Sequence, residues 1–162
     1  MNTTPLPALK EIRDLLAMTM GRECEMTLAE ESVTPATQPG VVVGVYVSQF
    51  LRAEAVIALD KPLAATLGAA IALIPPATAE EAVGAGPLPQ NLLENTSEVL
   101  NVMSSLFNAE GAPHLRLETV YDSGDGPLPG DVLTRLRSYG PRLDLNVEVQ
   151  GYGGGLLGVI LR

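Results

Sequence analysis

The sequence predicts an α+β domain in which helices pack against a mainly antiparallel sheet. Three observations lead there. Residues 40–48, Gly-Val-Val-Val-Gly-Val-Tyr-Val-Ser, form a β-branched run suited to a central strand, and residues 50–59 alternate well enough to pair with it as a hairpin. Residues 142–150 and 156–162 repeat that arrangement at the end of the chain, around Gly151-Tyr152-Gly153-Gly154-Gly155. Elsewhere, apolar residues recur at helical spacing.

In chain order, residues 5–20 read as a first helix: Leu6, Leu9, Ile12, Leu15/Leu16 and Met20 share a face, and Gly21 is placed to stop it. Residues 22–28 read as a short strand, and 30–40, with Pro35, Pro39 and several threonines, as a polar connection. After the 40–59 hairpin, Asp60 caps a helix over 62–73, with Pro62 in the first turn where its missing N–H costs nothing. Residues 77–89, rich in Ala, Gly and Pro, are a loose connection or a short helical turn. Residues 91–107 make the strongest helix, 114–121 a strand, 122–129 a turn-rich loop and 130–138 a short helix before the terminal hairpin. No solenoid-type repeat is present. The expected organisation is a single domain over 1–162, with a helix and short strand in 1–30 and the core in 40–162.

Composition narrows the function. The chain has 162 residues, 46% hydrophobic and 18% charged, with 4% aromatics and no Trp, so its core must be built from Ala, Val, Leu and Ile. A formal net charge of −9 repels phosphate backbones and anionic lipid, which argues against nucleic-acid and membrane-surface binding and favours partners that present Lys or Arg. Cys24, the only cysteine, rules out an intramolecular disulfide and a cysteine-based zinc cage. The start, Met-Asn-Thr-Thr-Pro-Leu-Pro, lacks the features of a signal peptide, and the longest apolar stretch, 63–74, is too short to span a bilayer. A cytoplasmic location is therefore expected.

On the 91–107 helix, Glu94, Glu98, Asn101, Ser105 and Asn108 fall at steps of four, three, four and three and share one face. Leu93, Val99/Leu100, Met103 and Leu106/Phe107 lie opposite as a buried stripe. The polar face is open to an ordinary explanation, since amphipathic helices have polar faces. Asn, however, is a mediocre helix former. With no Lys or Arg from Asn91 to Gly111, no i,i+4 ion pairs support this face, as if it were kept for a partner.

Glu98-Val99-Leu100-Asn101 resembles the Glu-x-x-Asn signature of the CheC/CheX/FliY family of response-regulator phosphatases, and the order of elements over residues 40–162 is similar, most of all to CheX. The resemblance implies a CheC-like domain that docks on a phosphorylated CheY-like response regulator and hydrolyses its aspartyl phosphate. By that likeness Asn101 orients the attacking water and Glu98 pairs with the regulator's active-site Lys, both catalytic, while Glu94, Ser105 and Asn108 flank the contact. A carboxamide suits the task, because acyl-phosphate hydrolysis has a loose transition state in which positioning outweighs strong base catalysis. No cofactor is implied on this chain; magnesium is expected on the partner regulator. The family also implies a homodimer formed by sheet or strand exchange.

Several residues depart from the family pattern. Glu94 stands where the family has Asp or Ser, and its spacing from Asn91 also fits a capping box. The family's proline beyond the motif is missing, and residues 49–53 replace glycines usual between the first two central strands. The alternative function is accordingly a non-catalytic response-regulator or flagellar-switch binding module. Glu11-Ile12-Arg13-Asp14 resembles a decayed copy of the motif, with Asp14 in the place of Asn. The remaining signals have plain readings. The Gly153–Gly155 cluster is a hairpin loop or a close-packed strand, not a phosphate loop. His114 begins a strand, and Ser97, Ser104 and Ser105 have no His to make a triad. Cys24 between two glutamates is unreactive. Met18, Met20, Met26 and Met103 fill the core, and Glu23, Glu25, Glu30 and Glu31 form a solvated face.

Overall fold

A computed structural model describes residues 3–84 and 86–162; Met1 and Asn2 of the predicted start and Ala85 of the predicted 77–89 connection lie outside the described residues. The first helix, α1, spans Leu9–Met20 and so begins later than predicted. Pro5 and Pro7 disfavour helical geometry in the residues before them, and the Ala8 N–H donates to Glu11 Oε1 at 3.0 Å to close the first turn. Gly21, at φ 69°, ends the helix in the left-handed conformation and donates to the Ala17 carbonyl. Strand β1 is Cys24–Leu28, and the predicted hairpin is β2 (Val41–Val47) with β3 (Ala53–Asp60), paired antiparallel. Asp60 does cap α2 (Lys61–Ile71): its Oδ1 accepts from the Leu63 N–H at 2.9 Å.

A short α3 (Pro76–Ala82) precedes α4 (Gln90–Met103), whose end tightens into a 3-10 turn over Ser104–Phe107. Strand β4 (Arg116–Asp122), α5 (Gly130–Leu136) and the hairpin β5 (Arg142–Val149) with β6 (Gly153–Leu161) complete the chain. Gly153 to Gly155 lie within β6, where the sequence reading began the strand at Leu156. A Cβ on Gly154 would stand 1.7 Å from the Val147 carbonyl oxygen, and one on Gly155 2.1 Å from the Asp60 carboxylate. These glycines are needed for close approach.

The six strands form one antiparallel sheet in the order β1-β5-β6-β3-β2-β4. Each half of the chain supplies a helix (α1 or α4), then an edge strand (β1 or β4), then a hairpin (β2–β3 or β5–β6). The edge strand of each half pairs with the hairpin of the other, β1 on β5 and β4 on β2. The halves are thus interlocked, with β3 and β6 paired at the centre.

Both faces of the sheet are covered. Val42 and Tyr46 point to a core shared with α1, α2 and α4, and Val41, Val43, Val45 and Val47 to a second core with Val33 and α5. This explains why every residue of β2 is buried. A part-buried fork holds the second layer: Arg142 Nε and Nη2 donate to the Asp144 carboxylate at 2.7 and 2.8 Å, and Arg142 also donates to the carbonyls of Val33, Leu136 and Ser138. Among the methionines, Met20, Met26 and Met103 are buried as predicted; Met18 is exposed, because it lies on the outer face of α1. No described helix is long and apolar enough to cross a membrane.

Candidate functional site on the outer face of α4

Helix α4 is fixed by its inner face. On α2, Gly68 lets the helices touch: a Cβ there would stand 2.5 Å from the Leu92 carbonyl oxygen and 2.7 Å from Thr96 Oγ1. Thr96 Oγ1 donates to the Ala64 carbonyl at 2.6 Å, and Asn95 Nδ2 to the Gly68 carbonyl at 3.0 Å. Below, Gly44 of β2 leaves room for Leu100, since a Cβ would lie 3.3 Å from its methyl. The buried Tyr46 hydroxyl donates to the Leu100 carbonyl at 2.5 Å, and its ring lies 5.1 Å from that of Phe107. Burial pushes the Tyr46 phenol well above its ordinary pKa.

The buried stripe is therefore Leu92, Thr96, Val99, Leu100 and Met103, continued by Phe107. Leu93, predicted inside, is half-buried and lines a groove with Val120 and Pro127. The predicted stripe holds at Val99, Leu100, Met103 and Phe107 and differs at its start, where Leu92 and Thr96 are buried in place of Leu93. The sequence reading also missed Gly44, Gly68, Asn95 and Tyr46, which position the helix. Gly68 did carry a signal, a glycine in the interior of an Ala-rich helix where propensity disfavours it.

The outer face matches the predicted column: Glu94, Glu98, Asn101, Ser105 and Asn108 are all exposed. The capping-box reading of Glu94 is corrected. The helix begins at Gln90 after Pro89, so Asn91 is inside the first turn, and Glu94 accepts from Gln90 Nε2 at 3.1 Å. Ser105 donates to the Val102 carbonyl at 3.1 Å, and Asn108 Oδ1 accepts from the Leu115 N–H at 3.0 Å, bracing the loop into β4. Ser97 and Ser104 likewise donate to backbone carbonyls of their own helix. Among the described residues, the polar side chains from Gln90 to Asn108 that make no hydrogen bond are Asn91, Glu98 and Asn101. Glu98 and Asn101, one turn apart, leave a carboxylate and a carboxamide side by side with their hydrogen-bonding capacity unspent.

Glu11 and Asp14 form no second site of this kind. Glu11 is engaged at its own helix start, and Asp14 pairs with Lys10 Nζ at 2.7 Å, whose hydrogen bond and charge hold the carboxyl below its usual range. Glu11 does line a groove of about 250 Å³ with Pro5, Pro7, Ser105, Leu106 and Asn108, next to the end of the column. Among the described residues, no group of three or more His, Cys, Asp or Glu side chains is placed to hold a metal ion.

No protein-family model matches the sequence, and no curated protein matches it. Solved structures match by fold. A chain of the FliM–SpeE complex from H. pylori superposes with a TM-score of 0.62 at 7% identity, over 94% of this chain and 80% of that one. FliY from Thermotoga maritima gives 0.56 at 17% identity, over 92% and 81%. A chain of the CheX–CheY–BeF3–Mg complex from Borrelia burgdorferi gives 0.52 at 10% identity, over 95% and 97%. The antiparallel sheet covered by helices has the fold shared by CheX, FliY and the FliM middle domain.

Proposed function

We propose that this protein is a CheX-like phosphatase that docks the outer face of α4 on a phosphorylated CheY-type response regulator and hydrolyses its aspartyl phosphate. The observation that carries the reading is the pair Glu98 and Asn101, exposed and uncommitted on a helix whose other polar residues, Asn91 apart, serve its own structure. The Asn101 carboxamide accepts from and orients a water in line with the phosphorus. The water oxygen bonds to phosphorus as the bond to the aspartyl oxygen breaks, returning its electron pair to the regulator's carboxylate and releasing inorganic phosphate that carries both water protons. Glu98 pairs with the regulator's Lys, Glu94 and Ser105 border the contact, and Asn108 holds its rim. Magnesium belongs to the regulator. A cytoplasmic homodimer accompanies this reading, and the free edges β1 and β4 are where strand exchange would occur.

The test is the decay of aspartyl phosphate on a CheY-type regulator with and without this protein, beside Asn101→Ala. Faster decay that falls by roughly 10²-fold in the variant, about 3 kcal/mol of barrier, is expected. The second reading, a binding module without catalysis, is favoured by the fold likeness to a chain of a FliM complex and by the engagement of Glu94 with Gln90. Binding with unchanged decay would select it.

A further inference from the structure

The turn between β2 and β3 presents large apolar side chains to solvent on a rigid support. Phe50 is 81% exposed and Leu51 67%. The turn is nonetheless well held: the Ser48 N–H donates to the Arg52 carbonyl at 3.0 Å, the Leu51 N–H to the Ser48 carbonyl at 2.9 Å, and the Phe50 N–H to the buried Ser48 hydroxyl at 3.3 Å. Leu51 adopts φ 59°, a backbone that Gly or Asn takes more readily than Leu. The sequence keeps leucine in a conformation that opposes it, at a place where its side chain recovers little by burial.

The surroundings of this turn are basic, against the trend of a chain with net charge −9. Arg116 opposes Val47 at the first residue of β4, and the Arg162 N–H donates to the Glu54 carbonyl just beyond β6, so both lie at this end of the sheet. Arg135 joins them through Nη1 to the Leu161 carbonyl at 3.2 Å. The nearby acids are Glu54, 3.7 Å from Arg162 and part of the cavity lining, Asp131, whose charge acts on Arg135, and the exposed Glu118, two residues from Arg116 on β4. Among the described residues, Arg52 and Arg116 make no ion pair. A cavity of about 490 Å³ opens here, lined by Ser48, Phe50, Arg52, Glu54 and Pro113.

We infer that this end of the sheet docks an acidic segment of another protein, one that carries an apolar side chain. The apolar group packs on Phe50 in the cavity and on the neighbouring exposed Leu51, and carboxylates meet Arg52 and Arg116. A protein partner is favoured over nucleic acid because the chain as a whole repels phosphate backbones, and the basic patch is small and mixed with apolar surface. This surface uses none of the residues of the α4 column and does not depend on the phosphatase reading.

The test uses the full chain and a fluorescein-labelled peptide of alternating Asp and Glu with central Leu and Phe residues. A Lys-for-acid counterpart, single-stranded DNA and phosphatidylglycerol vesicles stand beside it. The acidic peptide should bind saturably, weaken with added salt, and lose roughly tenfold or more in affinity to R52E/R116E. A second variant, L51G, relieves the backbone and so stays folded, and it should weaken the same peptide. Absent or unsaturable binding of the acidic peptide, or equal binding to the charge-reversed variant, overturns the inference. Preference for DNA or vesicles overturns it too, as does self-association in sedimentation that R52E/R116E abolishes, which would assign the surface to a second copy.

Discussion

Replacing Gly68 by Ala sets two effects of opposite sign against each other. In an isolated helix the change gains about 1 kcal/mol from propensity. In this fold the new methyl would meet the Leu92 carbonyl oxygen at 2.5 Å, where ordinary contact begins at 3.4 Å, so α4 must retreat by about 0.9 Å. The obstacle is backbone and cannot rotate away. Such a retreat stretches the Thr96 bond to the Ala64 carbonyl from 2.6 Å and the Asn95 bond to the Gly68 carbonyl from 3.0 Å beyond hydrogen-bonding distance. Two lost bonds at about 1 kcal/mol each, with about 1–3 kcal/mol of overpacking and less the propensity gain, leave a net loss of about 2–4 kcal/mol. Urea unfolding is the assay. The midpoint should fall by about 1–2 M with an unchanged slope. Gly130→Ala is the control: nothing stands within 4 Å of that Cβ, at the first residue of α5, so it should hold or gain stability. If Gly68→Ala is as stable as the parent chain, the close contact of α2 and α4 is wrong and so is the account of what positions Asn101.

Three further outcomes are expected. Tyr46→Phe removes the hydroxyl under Leu100 and should cost about 1 kcal/mol in urea unfolding. The parent chain's raised Tyr46 pKa means stability is present below the ordinary phenol value and lost as pH climbs above it. A spectrophotometric titration should therefore find one phenolate that appears only as the fold opens. Arg142→Ala leaves the part-buried Asp144 with the Val33 N–H but without its cation and should lose about 2–3 kcal/mol, read by thermal or urea unfolding. Asp60 has its pKa raised by burial, with the Leu63 and Leu156 backbone bonds opposing. Its contribution is thus favourable below the unfolded-state value and is lost as pH rises through the folded one. Asp60→Asn keeps the cap acceptor, so the variant should compare better with the parent at pH 7 than at pH 3.5; a constant difference between the two pH values would refute the sign.

How much of this was legible in the chain depended on the range of the forces involved. Gly21 and Asp60 act on their own helices, so the end of α1 and the start of α2 could be read directly. The Pro5 and Pro7 signals were present as well but were overridden by Leu6, which kept the apparent spacing although the chain there is not helical. Helix α4 could be placed, and so could its exposed column, because the 100° repeat alone sorts Glu98 and Asn101 away from Leu100 and Met103. What local reading could not supply were the contacts that cross the sheet. Gly153 to Gly155 could be read as a hairpin loop or a close-packed strand with nothing local to decide, because what requires Gly154 and Gly155 lies on other strands, at Val147 and Asp60, while Gly153 takes φ 103° with open space around it. The interlocking of the two halves was equally hidden, since it appears only in which strand lies beside which.

The composition of α4 fits this division of labour. Asn91, Asn95, Thr96, Ser97 and Asn101 are each weaker helix formers than Ala or Leu by a few tenths of a kcal/mol, and no ion pairs along its outer face offset that. A segment of this sequence would be a marginal helix alone. In the fold it is secured from within, by Thr96 and Asn95 on the carbonyls of α2, by Gly44 and Gly68 admitting close contact, and by Tyr46 at Leu100. Because packing supplies the stability, the outer face is released from providing it. That release is what permits a carboxylate and a carboxamide to stand one turn apart with nothing inside the chain to bind, and it is why the uncommitted pair, more than the motif spelling, supports the proposal that α4 is the docking surface.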